Sequence, residues 1–121
     1  MTNIYEDKIN SLRNKIKIFV ISVISFCRKI PRDDVNRVFI GQLLRSSTSI
    51  GANYEEATES ESNKDTIHKF AIVKKEAKES KYWLELIKEC VDCDRNKIDG
   101  LIDESGQLIR IFSSLIQKRK I

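Results

Sequence analysis

The sequence predicts an all-α protein, arranged as an antiparallel up-down-up-down four-helix bundle. Two observations carry that expectation. Helix breakers are scarce, with one Pro and four Gly in 121 residues, while strong helix formers dominate. Four runs of apolar side chains also recur at spacings of three and four, the periodicity of a helix face. The links between the runs are short, and short links join helices that run in opposite directions. A chain of 121 residues suits one domain, residues 1–121, and buries one core without disulfides or metals.

The first helix is expected over residues 4–29. Tyr5, Ile9, Leu12, Ile16, Phe19, Val23, Phe26 and Ile30 form its seam. From Ile16 onward, Ile18, Val20, Ile21 and Ile24 lie outside that seam, so the helix is apolar on more than one face. A single bundle leaves one face of each helix wet, and the surplus therefore points to a subunit interface. A more central place for this helix within the monomer is the plainer alternative. The most apolar stretch, Ile16 to Phe26, is only about 11 residues long and is broken by Lys17, Ser22 and Ser25. A membrane crossing needs about 20, so no membrane partner is expected.

Pro31 ends the first helix, and Asp33 or Asp34 can cap a second over residues 35–58. Its seam is Ile40, Leu43, Ser47, Ile50, Tyr54 and Ala57. The middle of this helix, from Ser46 to Asn53, is small and polar and has poor intrinsic propensity. Packing must supply what propensity does not, through close helix approach over Ser49, Gly51 and their neighbours. Ser62, with Asp65 three positions on, resembles a capping box for a third helix over residues 63–91. Phe70, Val73, Ala77, Ser80, Leu84, Ile87 and Val91 make its seam. A second row holds Ile72, Glu76, Glu79, Trp83, Leu86 and Cys90, two glutamates in a mainly apolar line. Asp94 can cap a fourth helix over residues 95–118, with Ile98, Leu101, Ser105, Leu108, Phe112 and Leu115 as its seam.

No reaction is expected from these residues. Cys90-Val91-Asp92-Cys93 is a CxxC, but a redox motif wants a βαβ context and a structural zinc site wants four ligands. In an antiparallel bundle Cys27 falls at the same end as this pair, so three thiols could gather there, while His68 falls toward the other. The Glu76/Glu79 pair invites a two-metal reading, yet that chemistry uses a Glu-x-x-His motif from each of two helices. This chain has one His and no such motif. A polar network is the favoured role, with the glutamates accepting from Arg45, from Ser or Thr hydroxyls, or from Asn53. The Ser/Gly run lacks the Gly-Lys-Ser/Thr ending of a P-loop and the Gly-x-Ser-x-Gly frame of a nucleophile elbow. Neither a cofactor nor a metal is expected, and the protein is taken to be no enzyme.

Charge is the remaining lead. The net charge is +4 with a pI near 9.0, which permits a nucleic-acid partner without demanding one. Residues 1–32 hold seven Lys and Arg against two Asp and Glu, whereas residues 33–62 hold two against six. Lys8, Arg13, Lys15 and Lys17 belong to the first group. Lys74, Lys78, Lys81 and Lys88 form a stripe at spacings of four, three and seven along the third helix. Such a stripe could track phosphates as point charges; a solvated face is the competing reading, supported by pairs such as Lys75–Glu79. Few aromatic residues lie between the lysines, so any binding would depend on backbone charge more than on base identity. Three cysteines, an odd count, and a start without a signal-like pattern point to a reducing, cytoplasmic setting.

Taken in order, the central stretch has a familiar look. Gln42-Leu43-Leu44-Arg45-Ser46, Thr48-Ser49-Ile50-Gly51-Ala52-Asn53 and Glu56-Ala57 are followed by Ser62-x-Lys64-Asp65-x-Ile67-x-Lys69. Lys75-Glu76-Ala77-x-Glu79-Ser80 and Tyr82-Trp83-Leu84-Glu85-Leu86 complete the pattern. Together they resemble the proteins encoded by intervening sequences of 23S ribosomal RNA genes. That resemblance implies a four-helix subunit, assembly into a homopentameric ring, and no catalysis or cofactor. It makes Arg45, Ser49, Gly51, Asn53, Glu76, Glu79 and Trp83 structural positions. The family is also similar to the nucleic-acid-binding accessory protein of diversity-generating retroelements, which implies an RNA or DNA partner. A protein-protein scaffold without nucleic-acid contact is the alternative function.

Overall fold

The seam side chains collapse together in four helices, α1 (Ile4–Arg28), α2 (Asp34–Thr58), α3 (Asn63–Cys90) and α4 (Arg95–Arg119). The computed structural model describes residues 3–120, so residues 1, 2 and 121 of the expected domain lie outside the described residues. Among the described residues there is no strand. Every helix begins on a side-chain oxygen that takes up an otherwise orphaned amide. Asn3 accepts from the Glu6 amide at 2.8 Å, Asp33 from Asn36 at 2.7 Å, Ser62 from Asp65 at 3.1 Å and Asp94 from Lys97 at 3.1 Å. Each such cap is worth about 1 kcal/mol. Pro31 stops α1, and its carbonyl accepts from Asn36 Nδ2 at 2.9 Å, which fixes the turn into α2.

Each helix packs on its neighbours in the chain, and α1 closes the bundle against α4. The α2–α3 and α3–α4 contacts are extensive, whereas α1 sits more lightly on both of its partners. Between α1 and α2 the matched pairs are Ile9 with Tyr54, Arg13 with Glu55, and Ile16 with the Gly51 position. Between α2 and α3 they are Arg45 with Glu76, Ser46 with Ser80, and Glu56 with Lys69. Asn63 meets Arg119, and Lys88 meets Asp99, between α3 and α4. The most deeply buried large side chains of the core include Phe19, Val23, Leu43, Ile50, Val73, Leu84, Ile87, Ile98, Leu108 and Phe112. Phe112, wholly buried, packs in T-shaped contacts with Tyr54 and Phe70, with centroids 6.0 and 5.3 Å away.

The small polar run of α2 is a packing surface. Ser46 and Ser47 are wholly buried, as are Ser80 on α3 and Ser105 on α4. Buried hydroxyls need partners; Ser46 donates to the Leu43 carbonyl at 3.2 Å and Ser105 to Ile102 at 2.7 Å, each within its own helix. Ser47 donates to the Leu44 carbonyl at 3.4 Å, Thr48 to Leu44 at 2.7 Å and Ser49 to Arg45 at 2.8 Å. Ser46 Oγ lies 2.8 Å from Ser80 Oγ, a hydrogen bond across the α2–α3 seam that only two small side chains could make. The low propensity of this segment is thereby offset by tertiary packing.

The surplus apolar surface on α1 remains uncovered. Ile18 is 61% exposed and Ile21 58% exposed, with half-buried Val20 and Ile24 nearby. Among the described residues no helix is long and apolar enough to cross a membrane.

Candidate functional site

The structure divides α3 into two unlike flanks. On the flank facing α2, Arg45 reaches over from the second helix to both glutamates. Its Nη1 lies 3.2 Å from Glu76 Oε2, and its Nη2 contacts Glu79 Oε2. Glu76 is 8% exposed, so that guanidinium compensates the burial of its carboxylate. Trp83, one turn beyond Glu79, donates from Nε1 to Glu79 Oε2 at 3.4 Å. The indole also packs against the core and against Phe39, 6.5 Å between centroids, while Tyr82 meets its edge at 5.1 Å. Arg45, Glu76, Glu79 and Trp83 are therefore one connected group.

Ser49 and Asn53 stand apart from that group. Asn53 Nδ2 donates to the Ser49 carbonyl at 2.9 Å, within α2. Of the three kinds of donor offered for the glutamates, Arg45 is the one used: among the described residues Asn53 makes no bond to them, and the Ser46 and Ser80 hydroxyls serve each other. Arg45 is joined by Trp83 of α3 at Glu79. Gly51 faces Ile16 of α1, but a Cβ built there would lie 3.7 Å from Ile16 Cγ2, an ordinary contact. The approach of α1 to α2 at Gly51 leaves room for one methyl group.

The other flank of α3 carries the lysine stripe. Lys74, Lys78 and Lys81 lie along it with no ion pair among the described residues, and Lys78 is exposed. Lys88 ends the stripe and is tied to Asp99 of α4 at 2.6 Å, which puts this flank on the α4 side. The candidate cations of α1, Lys8, Arg13, Lys15 and Lys17, do not join it. Arg13 is turned to α2, where Nε meets Glu55 Oε2 at 2.7 Å, and Lys15 is turned to α4, donating to Gln107 Oε1 at 2.7 Å. Lys8 and Lys17 are exposed elsewhere on the helix. The hydrogen bond to Glu55 holds the Arg13 guanidinium above its ordinary pKa. Thus four lysines on α3 form a line, three of them without an ion pair among the described residues, whereas Arg13 and Lys15 of α1 turn to opposite neighbours.

The thiols differ in kind. Cys27 is buried, Cys93 half-buried and Cys90 exposed. Burial pushes the Cys27 thiol up to about 11, and burial also raises that of Cys93. Among the described residues no three His, Cys, Asp or Glu side chains gather as a metal site.

Two features were not anticipated from the pattern. Glu104 Oε2, on the α4 side facing α1, is buried without a hydrogen-bond partner among the described residues. Arg119, near the end of α4, lies 5.5 Å over the Phe70 ring. Neither had a spacing signal, because both depend on how the ends and sides of different helices meet.

Comparison with known proteins places this arrangement. Residues 8–114 match the family model for the 23S rRNA-intervening sequence protein. The chain belongs to that family. A crystal structure of a protein of unknown function from the S23 ribosomal protein family of Bacteroides thetaiotaomicron is 32% identical. The match covers 86% of this chain and 96% of that one, with a TM-score of 0.79. No curated protein matches. The family match spans all four helices, so both flanks of α3 lie inside it.

Proposed function

We propose that this chain is the subunit of a non-enzymatic, cytoplasmic homo-oligomer that contacts RNA or DNA through its phosphates. The line of Lys74, Lys78 and Lys81 carries the reading, because among the described residues these side chains form no ion pair, while Glu76 and Glu79 of the same helix are engaged by Arg45. Unpaired lysines on a rigid helix attract phosphate without reading bases. The subunit is an antiparallel up-down-up-down bundle; Ile9 of α1 meets Tyr54 while the later Ile16 meets Gly51, and Arg45 of α2 meets Glu76 while the later Glu56 meets Lys69, which supports this. The exposed Ile18 and Ile21 support self-association. The resemblance to the family suggests a pentameric ring, and five copies of a chain with net charge +4 would strengthen the field that steers a polyanion.

The deciding experiment combines the mass of the purified particle with gel shifts on structured ribosomal RNA over a range of salt. Binding that weakens steeply with salt and is lost on replacing the three lysines supports the proposal. A particle that binds neither RNA nor DNA at low salt refutes the nucleic-acid part, and a monomer refutes the assembly.

A protein scaffold is the second reading. It is favoured by Val35, Val38 and Tyr82, all more than half exposed beside Phe39 and Trp83. Recovery of one protein partner, unaffected by nuclease, would support it.

A further inference from the structure

We propose that the end of the bundle at Leu12, Phe70 and Leu115 is a binding site for a small amphipathic anion, an acyl or aromatic carboxylate. A cavity of about 350 Å³ opens there between the first turns of α1 and the ends of the other helices. That size lies within the range of about 300–1,000 Å³ typical of small-molecule sites. Tyr54, Phe70, Leu12 and Leu115 give it an apolar floor, and Ile9 of α1 completes one wall. The cavity exists because α1 packs lightly on its neighbours, so Ile9 and Leu12 stay only half-covered.

The charge at the mouth selects the ligand. Arg119 is fixed there by neutral groups only. Its guanidinium lies over the Phe70 ring, its Nη1 donates to Asn63 Oδ1 at 2.9 Å, and Asn63 Nδ2 donates back to the Arg119 carbonyl at 2.9 Å. Among the described residues no carboxylate pairs with it, and none pairs with Lys8 on the opposite lip. The first turn of α3, from Asn63, opens onto the same end and adds the positive pole of a helix. Glu61 also lines the cavity, so two cations face one acid. A cationic ligand would meet Arg119 and Lys8, and a neutral one would leave a placed guanidinium unused. An anion with an apolar body satisfies both the rim and the floor.

The test uses the full-length protein and dodecanoate below its micelle concentration, followed by calorimetry and backbone amide NMR. Saturable binding is expected, one molecule per chain, with shifts centred on Leu12, Thr66, Phe70 and Leu115. Dodecyltrimethylammonium should bind at least tenfold more weakly. Arg119→Gln and Lys8→Gln should each weaken dodecanoate severalfold, and Leu115→Trp, which fills the cavity, should remove binding. Lys8 is exposed, so its variant stays informative even if Arg119→Gln disturbs the fold. The proposal is overturned by absence of saturation, by equal affinity for the cationic amphiphile, or by shifts centred away from Leu12, Phe70 and Leu115.

Discussion

Arg45 on α2 holds the carboxylate of Glu76 on α3, Nη1 to Oε2 at 3.2 Å, across the most extensive seam in the bundle. The two ends of this bond are not equivalent. Glu76 is buried, whereas nearly half of the Arg45 side chain is in water and a second carboxylate, Glu79, also engages it.

That asymmetry predicts which substitution does more harm. Arg45→Ala strands a buried carboxylate and should cost about 1–3 kcal/mol. Glu76→Leu removes the buried charge and leaves an arginine that water and Glu79 still satisfy, so its loss should be the smaller. Urea midpoints of the two variants and of the Arg45→Leu/Glu76→Leu double variant check this. A larger loss for Glu76→Leu than for Arg45→Ala would contradict the assignment.

Gly51 gives a prediction of opposite sign. It sits in the middle of α2 at negative φ, where glycine is a poor helix former. A methyl there would make ordinary contact with Ile16. Gly51→Ala should therefore stabilise the subunit by about 0.5–1 kcal/mol, seen as a rise of a few degrees in melting temperature. Gly51→Leu, with three more carbons directed at α1, should lower it. A fall in melting temperature for the alanine variant would mean that α1 lies closer than it is seen here.

The buried thiol and phenol set the alkaline limit. Burial raises Cys27 from an ordinary 9.0 to about 11, and Tyr54 from 10.0 to about 12. Each group is neutral inside the fold and ionises more easily once unfolded, so folding is favoured while both stay protonated. Their contribution is complete below about pH 9. It falls between pH 9 and 11 as unfolded Cys27 ionises, and further toward pH 12 through Tyr54, whose hydroxyl donates to the Ile9 carbonyl at 2.9 Å. Urea midpoints at pH 8, 10 and 11 should decline, and Cys27→Val should flatten the first part of that decline. At pH 8 a thiol reagent should label exposed Cys90 first, Cys93 more slowly and Cys27 only as the chain opens.

The fold class could be read from the chain because its signals are local and repeated. Ile16, Phe19, Val23 and Phe26 recur at helical spacing and are the residues that disappear into the core. Ser62 and Asp94 precede their helices as capping side chains should. What could not be read was lateral choice. Spacing put Glu76 and Glu79 in one row, but not whether Arg45 or Asn53 would reach them from α2. Asn53 was lost to its own helix because the Ser49 carbonyl is four residues away and always within reach. Glu104 and Arg119 depend on contacts between helices distant in sequence, for which periodicity holds no information.

The lysine stripe allows the last prediction to separate charge from structure. Lys74, Lys78 and Lys81 make no ion pair among the described residues, and substitutions at such positions usually stay within about 0.5 kcal/mol in stability. Replacing all three by Gln should leave folding and particle mass intact. If each meets one phosphate, the slope of log affinity against log salt should fall by about 0.7–0.9 per lysine removed. Lys88 serves as the internal control, because its charge is already shared with Asp99 at 2.6 Å and Lys88→Gln should change the slope less. A slope unmoved by the triple replacement would place any nucleic-acid contact elsewhere, with Lys17 and Lys8 of α1 the next candidates. A triple variant that no longer assembles would instead identify this flank as a subunit contact, and the lysines would then act between copies of the chain.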